Sequence, residues 1–173
     1  SMDQEVGIDP EMLGHIFENL LEDNKDKGAF YTPKEIVRYM CQESLKEYLK
    51  TYLQEQNQWP TNEDQEKVLE EALHKFITKK EASGIIDLDN SLATALKVVK
   101  ICDPAIGSGA FPMGLLNLIF QLVHKLFDAS PDKVGPVWKI DSLQPDKVKL
   151  NIIQQSIYGV DIEKGAVDIA RLR

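Results

Sequence analysis

Val98-Val99-Lys100-Ile101-Cys102-Asp103-Pro104-Ala105-Ile106-Gly107-Ser108-Gly109-Ala110-Phe111 is the stretch on which the fold turns. A short apolar, β-branched run (98–102) stops at Asp-Pro and passes into a glycine-rich turn, the signature of a strand ending in a loop. Gly107 and Gly109 permit backbone torsions closed to other residues and a close approach of main chain to a ligand. Phe111 to Phe127 is apolar almost all round, which predicts a helix buried against a sheet. Asp103 sets a carboxylate at the strand end, where it can meet a cationic group.

Downstream, Ala129 to Lys139 reads as a loop with its prolines and glycine, and Pro145 to Gln155 as a helix. Ser156-Ile157-Tyr158-Gly159-Val160 reads as a second strand ending at Asp161. Ala166, Val167, Ile169, Ala170 and Leu172 then recur at helical spacing. Strand, glycine turn, helix, strand, acidic residue, helix is the opening of a doubly wound α/β nucleotide-binding fold, which binds ligands at the carboxyl ends of its strands. Two strands are too few for such a sheet. The expected fold class is therefore α/β: an N-terminal helical region (1–95), then the first part of a Rossmann-like domain (96–173). The chain reads as truncated and mostly helical by residue count.

Upstream the pattern is helical. Asp9-Pro10 is a good helix start, followed by an apolar stripe from Met12 to Leu21. A second helix is expected at Thr32-Pro33-Lys34-Glu35, with Thr32 capping, Pro33 in the first turn and Glu35 completing a capping box. Its apolar positions run from Ile36 to Leu53. A third is expected to start at Thr61 with Asp64 and to carry Val68, Leu69, Ala72, Leu73, Phe76 and Ile77. Between Glu43 and Asn90 there are 11 acidic and 6 basic side chains, which reads as a solvated acidic face without chemistry.

Composition narrows the function classes. With 43% hydrophobic and 28% charged residues the 173-residue chain is of ordinary globular type. No apolar run approaches the roughly 20 residues of a membrane helix, and no signal pattern opens the chain; a cytoplasmic protein is expected. Ser1-Met2 reads as a cloning remnant. The net charge of -8 is a poor footprint for a nucleic-acid clamp, so any DNA contact is expected mostly outside this piece. Cys41 and Cys102 read as buried reduced thiols rather than a disulfide. His15, His74 and His124 are isolated, so no metal site is expected.

The glycine turn discriminates between cofactors. A dinucleotide fingerprint has a third glycine where this chain has Pro112, and it cradles a pyrophosphate that a strand-end carboxylate would repel. No Gly-Lys-Ser/Thr follows, so the turn is no phosphate-binding P-loop either. A ligand with an ammonium group and no phosphate fits better, and S-adenosyl-L-methionine is such a ligand.

Asp103 to Phe111 resembles motif I of the amino-group DNA methyltransferases, with Ile106 in place of the usual cysteine. Gly28-Ala29-Phe30-Tyr31-Thr32-Pro33 looks like motif X of the same family. Its place upstream of motif I matches the γ-type order of N6-adenine enzymes. Tyr158-Gly159-Val160-Asp161-Ile162 resembles motif II, although Asp161 follows Asp103 by 58 residues and requires an insertion between 129 and 155. The neighbourhood is most similar to the large restriction-modification and phage-defence methyltransferases. The resemblance implies that Asp103, Ala105, Gly107 and Gly109 hold the methionine part of the cofactor and that Asp161 takes the ribose hydroxyls. It further implies that Ile162 packs on the adenine and that Tyr31 and Thr32 close over the ligand.

The family's Asn/Asp-Pro-Pro-aromatic motif, which holds the flipped target base, has no counterpart here, since no Pro-Pro pair occurs. No catalytic residue is therefore expected in this chain, and the chain alone is expected to be inactive. The parent's expected partners are DNA and a restriction or specificity subunit or fused domain, with no membrane. Two other readings stay open: a methyltransferase acting on protein, RNA or a small molecule, and a non-catalytic helical or cofactor-fold docking module.

Overall fold

The computed structural model describes residues 33–101, 110–142 and 144–152. In chain order these form helices α1 (Lys34–Glu55) and α2 (Glu63–Lys79), a 3-10 turn (Ser83–Leu88), then α3 (Asp89–Val98), α4 (Ala110–Ala129), α5 (Pro131–Trp138) and α6 (Pro145–Ile152). The expected helix after Asp9, the strand 156–160 and the helical pattern 166–172 lie outside the described residues.

α1 buries Val37, Met40, Cys41, Ser44, Leu45, Tyr48, Leu49 and Leu53, a stripe at three- and four-residue spacing. It starts one residue later than its sequence implies. Pro33 occupies the cap with ψ 140°, and its carbonyl accepts from the amides of Ile36 (3.0 Å) and Val37 (3.1 Å). Proline has no amide to satisfy, so an extended cap costs it nothing. α2 likewise starts not on Thr61 but on Asn62, whose side chain accepts from the Gln65 amide at 3.1 Å. Leu73, Phe76 and Ile77 carry the buried part of its stripe. Val68, expected in that stripe, is 70% exposed.

The segment before the glycine turn differs most from its sequence reading. Val98 is the last residue of α3 rather than the first of a strand. The helix is sustained by Leu92, Ala93, Ala95 and Leu96, all buried on one side. Only Val99 to Ile101 is extended, with a single bridge position at Lys100 and with Val99 and Ile101 buried. No longer β-ladder occurs among the described residues, which are mostly helical.

α4 is the hub. Leu115, Leu116, Ile119, Leu122, Val123 and Leu126 are all essentially inaccessible, and α1, α2, α3, α5 and α6 pack around the helix. Its described neighbours are thus helices, where the sequence reading expected a sheet.

The stretch 129–139, expected to be a loop, contains α5. Pro131 takes the first helical position, where a missing amide is harmless. Pro136 falls close enough to the end that one lost bond does not unravel the turn. Val134 and Trp138, four residues apart, are buried and anchor it. Three polar contacts fasten α5 to α3. The Trp138 indole donates to the Ala93 carbonyl at 3.1 Å and Lys97 to the Val137 carbonyl at 2.6 Å. Lys133 stands 3.7 Å from the buried Asp89 carboxylate.

Candidate functional site

Tyr31, Thr32, Asp103, Ala105, Gly107, Gly109, Asp161 and Ile162 all lie outside the described residues. What the structure describes is the frame from which the first six depart. α1 begins directly after Thr32-Pro33, Ile101 lies two residues before Asp103, and α4 begins directly after Gly109. The described helices determine whether those departure points are neighbours.

The start of α4 meets α1 about two turns beyond Pro33: the Cys41 thiol donates to the Phe111 carbonyl in the first turn of α4, at 3.6 Å. One turn on, Gly114 faces the same cysteine and Val37. A Cβ at Gly114 would stand 2.8 Å from Cys41 Sγ and 3.0 Å from Val37 Cγ1. The absence of a side chain therefore sets how closely the two helices approach. α1 also braces the other side of the glycine turn. The buried Tyr48 hydroxyl donates to the Ala95 carbonyl of α3 at 2.8 Å, just ahead of Val99 to Ile101. Burial, with lesser contributions from Tyr52 and Glu55, pushes the Tyr48 phenol well above its ordinary range.

Beside this seam runs a groove of about 260 Å³. Its floor is Val37, Cys41, Gly114 and Leu118, and its rim carries the cations Lys34, Arg38 and Lys80. Lys80 donates to the Ile77 carbonyl at 2.7 Å. Its ammonium is pulled below the usual lysine range, first by burial and then by the Arg38 guanidinium. The sequence reading missed this groove. Lys34 and Arg38, four apart on one helix, were a legible signal. Lys80 comes from the end of α2, and nothing local to it announces that meeting.

A second groove, on the acidic face, is lined by Lys46, Lys50, Trp59, Lys67, Glu70 and Glu71 among others. Its charges are already satisfied: Lys50 bonds Glu70 at 2.6 Å and lies 5.2 Å above the Trp59 ring. That contact and Glu70's hydrogen bond, which raises the Lys50 pKa, make it a structural clasp joining α1 to the middle of α2 and to the turn before it. Among the described residues no group of His, Cys, Asp and Glu is placed to hold a metal ion, and no helix is long and apolar enough to cross a membrane.

In an alignment of 176 positions that covers 98% of the chain, it is 29% identical to a protein of Methanocaldococcus jannaschii named as a candidate type II restriction enzyme and methyltransferase. It spans 14% of that protein's length. No family model matches the chain, and no solved structure matches it. The similarity extends through all three motif-bearing segments and relates the chain to a protein of the restriction-modification kind.

Proposed function

We propose that this chain is the cofactor-binding part of a site-specific DNA methyltransferase, one that moves a methyl group from S-adenosyl-L-methionine to N6 of adenine within a restriction-modification or phage-defence protein. The observation that carries the reading is the α1–α4 seam. It packs the beginning of α4, the helix that follows Asp103 to Gly109, against the second and third turns of α1, the helix that follows Gly28-Ala29-Phe30-Tyr31-Thr32-Pro33. The similarity over 98% of the chain to a protein named as a methyltransferase supports it from another direction.

The donor set suits this cofactor. Asp103 offers a carboxylate to the ammonium, and Ala105, Gly107 and Gly109 offer main chain to the methionine part. Asp161 offers two oxygens to the ribose hydroxyls, and Ile162 an apolar surface to the adenine. Tyr31 and Thr32 cover the ligand, and the start of α1 directs helix-end amides toward its carboxylate. When bound, S-adenosyl-L-methionine supplies an electrophilic methyl on a sulfonium. This chain's own work is to hold and orient it, so that proximity rather than acid-base chemistry is its share of the rate. The residues that grip a flipped adenine belong to an Asn/Asp-Pro-Pro-aromatic motif in the rest of the parent protein.

Calorimetric titration with S-adenosyl-L-methionine tests the reading. The chain should give saturable heat, and Asp161→Ala should weaken binding by about 1.5–3 kcal/mol, the usual worth of hydrogen bonds to a charged group. A chain with no saturable heat is a docking module instead. An unchanged affinity for the variant removes Asp161 from the site. N6-adenine specificity is read from the parent protein, by locating labelled methyl groups in a DNA digest.

A further inference from the structure

Four lysines of α1 and α2 are answered by carboxylates: Lys46 by Glu43, Lys50 by Glu70, Lys67 by Glu63 and Lys75 by Glu71. The groove beside the α1–α4 seam gathers cations with no carboxylate among its lining residues. Lys34, Arg38 and Lys80 line it together with the side-chain amides of Gln42, Asn117 and Gln121, and none of its ten lining residues is acidic. In a chain of net charge -8 this is a local reversal of sign.

The arrangement is costly for a merely structural surface. Lys34 and Arg38 stand four apart on one helix, a like-charge pairing that destabilises by a few tenths of a kcal/mol. Lys80 adds a half-buried ammonium on which burial and Arg38 act in the same unfavourable direction. Its bond to the Ile77 carbonyl uses one of three N–H donors. The remaining donors, the guanidinium fork and three neutral amides have nothing anionic within the groove to meet. An anion placed there would relieve the repulsion and collect charge-assisted hydrogen bonds.

We propose that this groove is a phosphate-binding track that takes the phosphodiester backbone of the nucleic-acid substrate. The inference rests on the reading of that substrate as DNA. Several cations and amides spread along an open groove suit successive phosphates of a polymer, and a free phosphate would engage only part of the set. The groove runs from the start of α1 along its first turns and along the second to fourth turns of α4. A strand lying in it would pass the start of α1, next to Tyr31 and Thr32, so backbone contact and cofactor contact would share one rigid seam.

The test is the fluorescence anisotropy of a short labelled DNA duplex titrated with the 173-residue chain at several KCl concentrations. Lys34→Gln/Arg38→Gln is the groove variant, and both residues are exposed, so folding should survive. Lys125→Gln/Lys147→Gln removes the same charge from exposed positions outside the groove. The groove variant should bind roughly tenfold or more weakly at low salt and flatten the slope of log K against log salt by about two, one for each lost phosphate contact. The control should leave most of that slope in place. Equal losses in both variants, or no salt-dependent binding by the wild type, would overturn the track. Complete displacement of the duplex by modest inorganic phosphate would also overturn it, in favour of a free-anion site. The cofactor titration separates the two readings. Saturable heat without duplex binding removes the track and leaves the methyltransferase. Groove-dependent duplex binding without heat does the reverse.

Discussion

Gly114→Ala is the substitution that most directly interrogates the α1–α4 seam. In an isolated helix this change stabilises by about 1 kcal/mol, because alanine loses less backbone freedom on folding. Here the new methyl would lie 2.8 Å from Cys41 Sγ and 3.0 Å from Val37 Cγ1, both buried. Ordinary contact begins near 3.4 Å, so the neighbours must retreat by about half an ångström into a close-packed interior. Cys41 can move by rotating its thiol, but only by giving up its 3.6 Å contact with the Phe111 carbonyl.

Forcing a methyl into a filled core costs about 1–3 kcal/mol. The net expectation is therefore a loss of about 1 kcal/mol, a fall in Tm of about 2–4 °C for a chain of this size. Urea unfolding of wild type, Gly114→Ala, Cys41→Ala and the double variant gives the full cycle. With the sulfur removed the alanine should be tolerated or favourable, so the coupling energy should reach about 1–2 kcal/mol in the compensating sense. Refutation would be a Gly114→Ala protein stabilised by its full helical advantage whether or not Cys41 is present. That would mean the two helices are not in contact at this point.

Further outcomes are expected from the same packing. Phe76→Ala, which empties a fully buried site, should cost about 3–5 kcal/mol in denaturant unfolding. Asn62→Ala, which removes the side chain accepting from the Gln65 amide, should cost about 1 kcal/mol and fray α2 from its start by circular dichroism. Tyr48 gives the molecule an alkaline limit. Its phenol is raised in the folded state above the unfolded value of 10.0, so its contribution is fully present below pH 10 and is lost as pH rises beyond it. Stability measured upward from pH 9 should fall above that point, and Tyr48→Phe should flatten the fall while lowering stability at neutral pH through the lost bond to Ala95.

How much of this was legible beforehand differs from element to element. α1, α2 and α4 were readable because each carries a long run of apolar residues at helical spacing, and that periodicity outlasts errors of a residue or two at the caps. α5 was misread because Pro131, Gly135 and Pro136 are turn residues in isolation. It is a helix because Val134 and Trp138 find burial against α3 and α4, a gain visible only once those neighbours are in place. Val98 was assigned to a strand on its β-branched side chain, yet α3 claims it. Propensity is a weak prior beside the burial of Leu92, Ala93, Ala95 and Leu96 one turn earlier.

The site divides along the same line. The sequence alone is the source of the segments proposed to bear its chemistry: Tyr31 and Thr32, Asp103 to Gly109, and Asp161 with Ile162. A glycine turn, a strand-end carboxylate and their spacing are local properties written in adjacent residues. Only the tertiary structure decided that the helices leaving the first two segments lie against each other, with Gly114 making the room. It alone decided that Lys80, from a different helix, comes to Lys34 and Arg38. Such meetings join residues tens of positions apart. They are determined by how whole apolar faces fit together, a free energy summed over the entire core and recorded at no single residue.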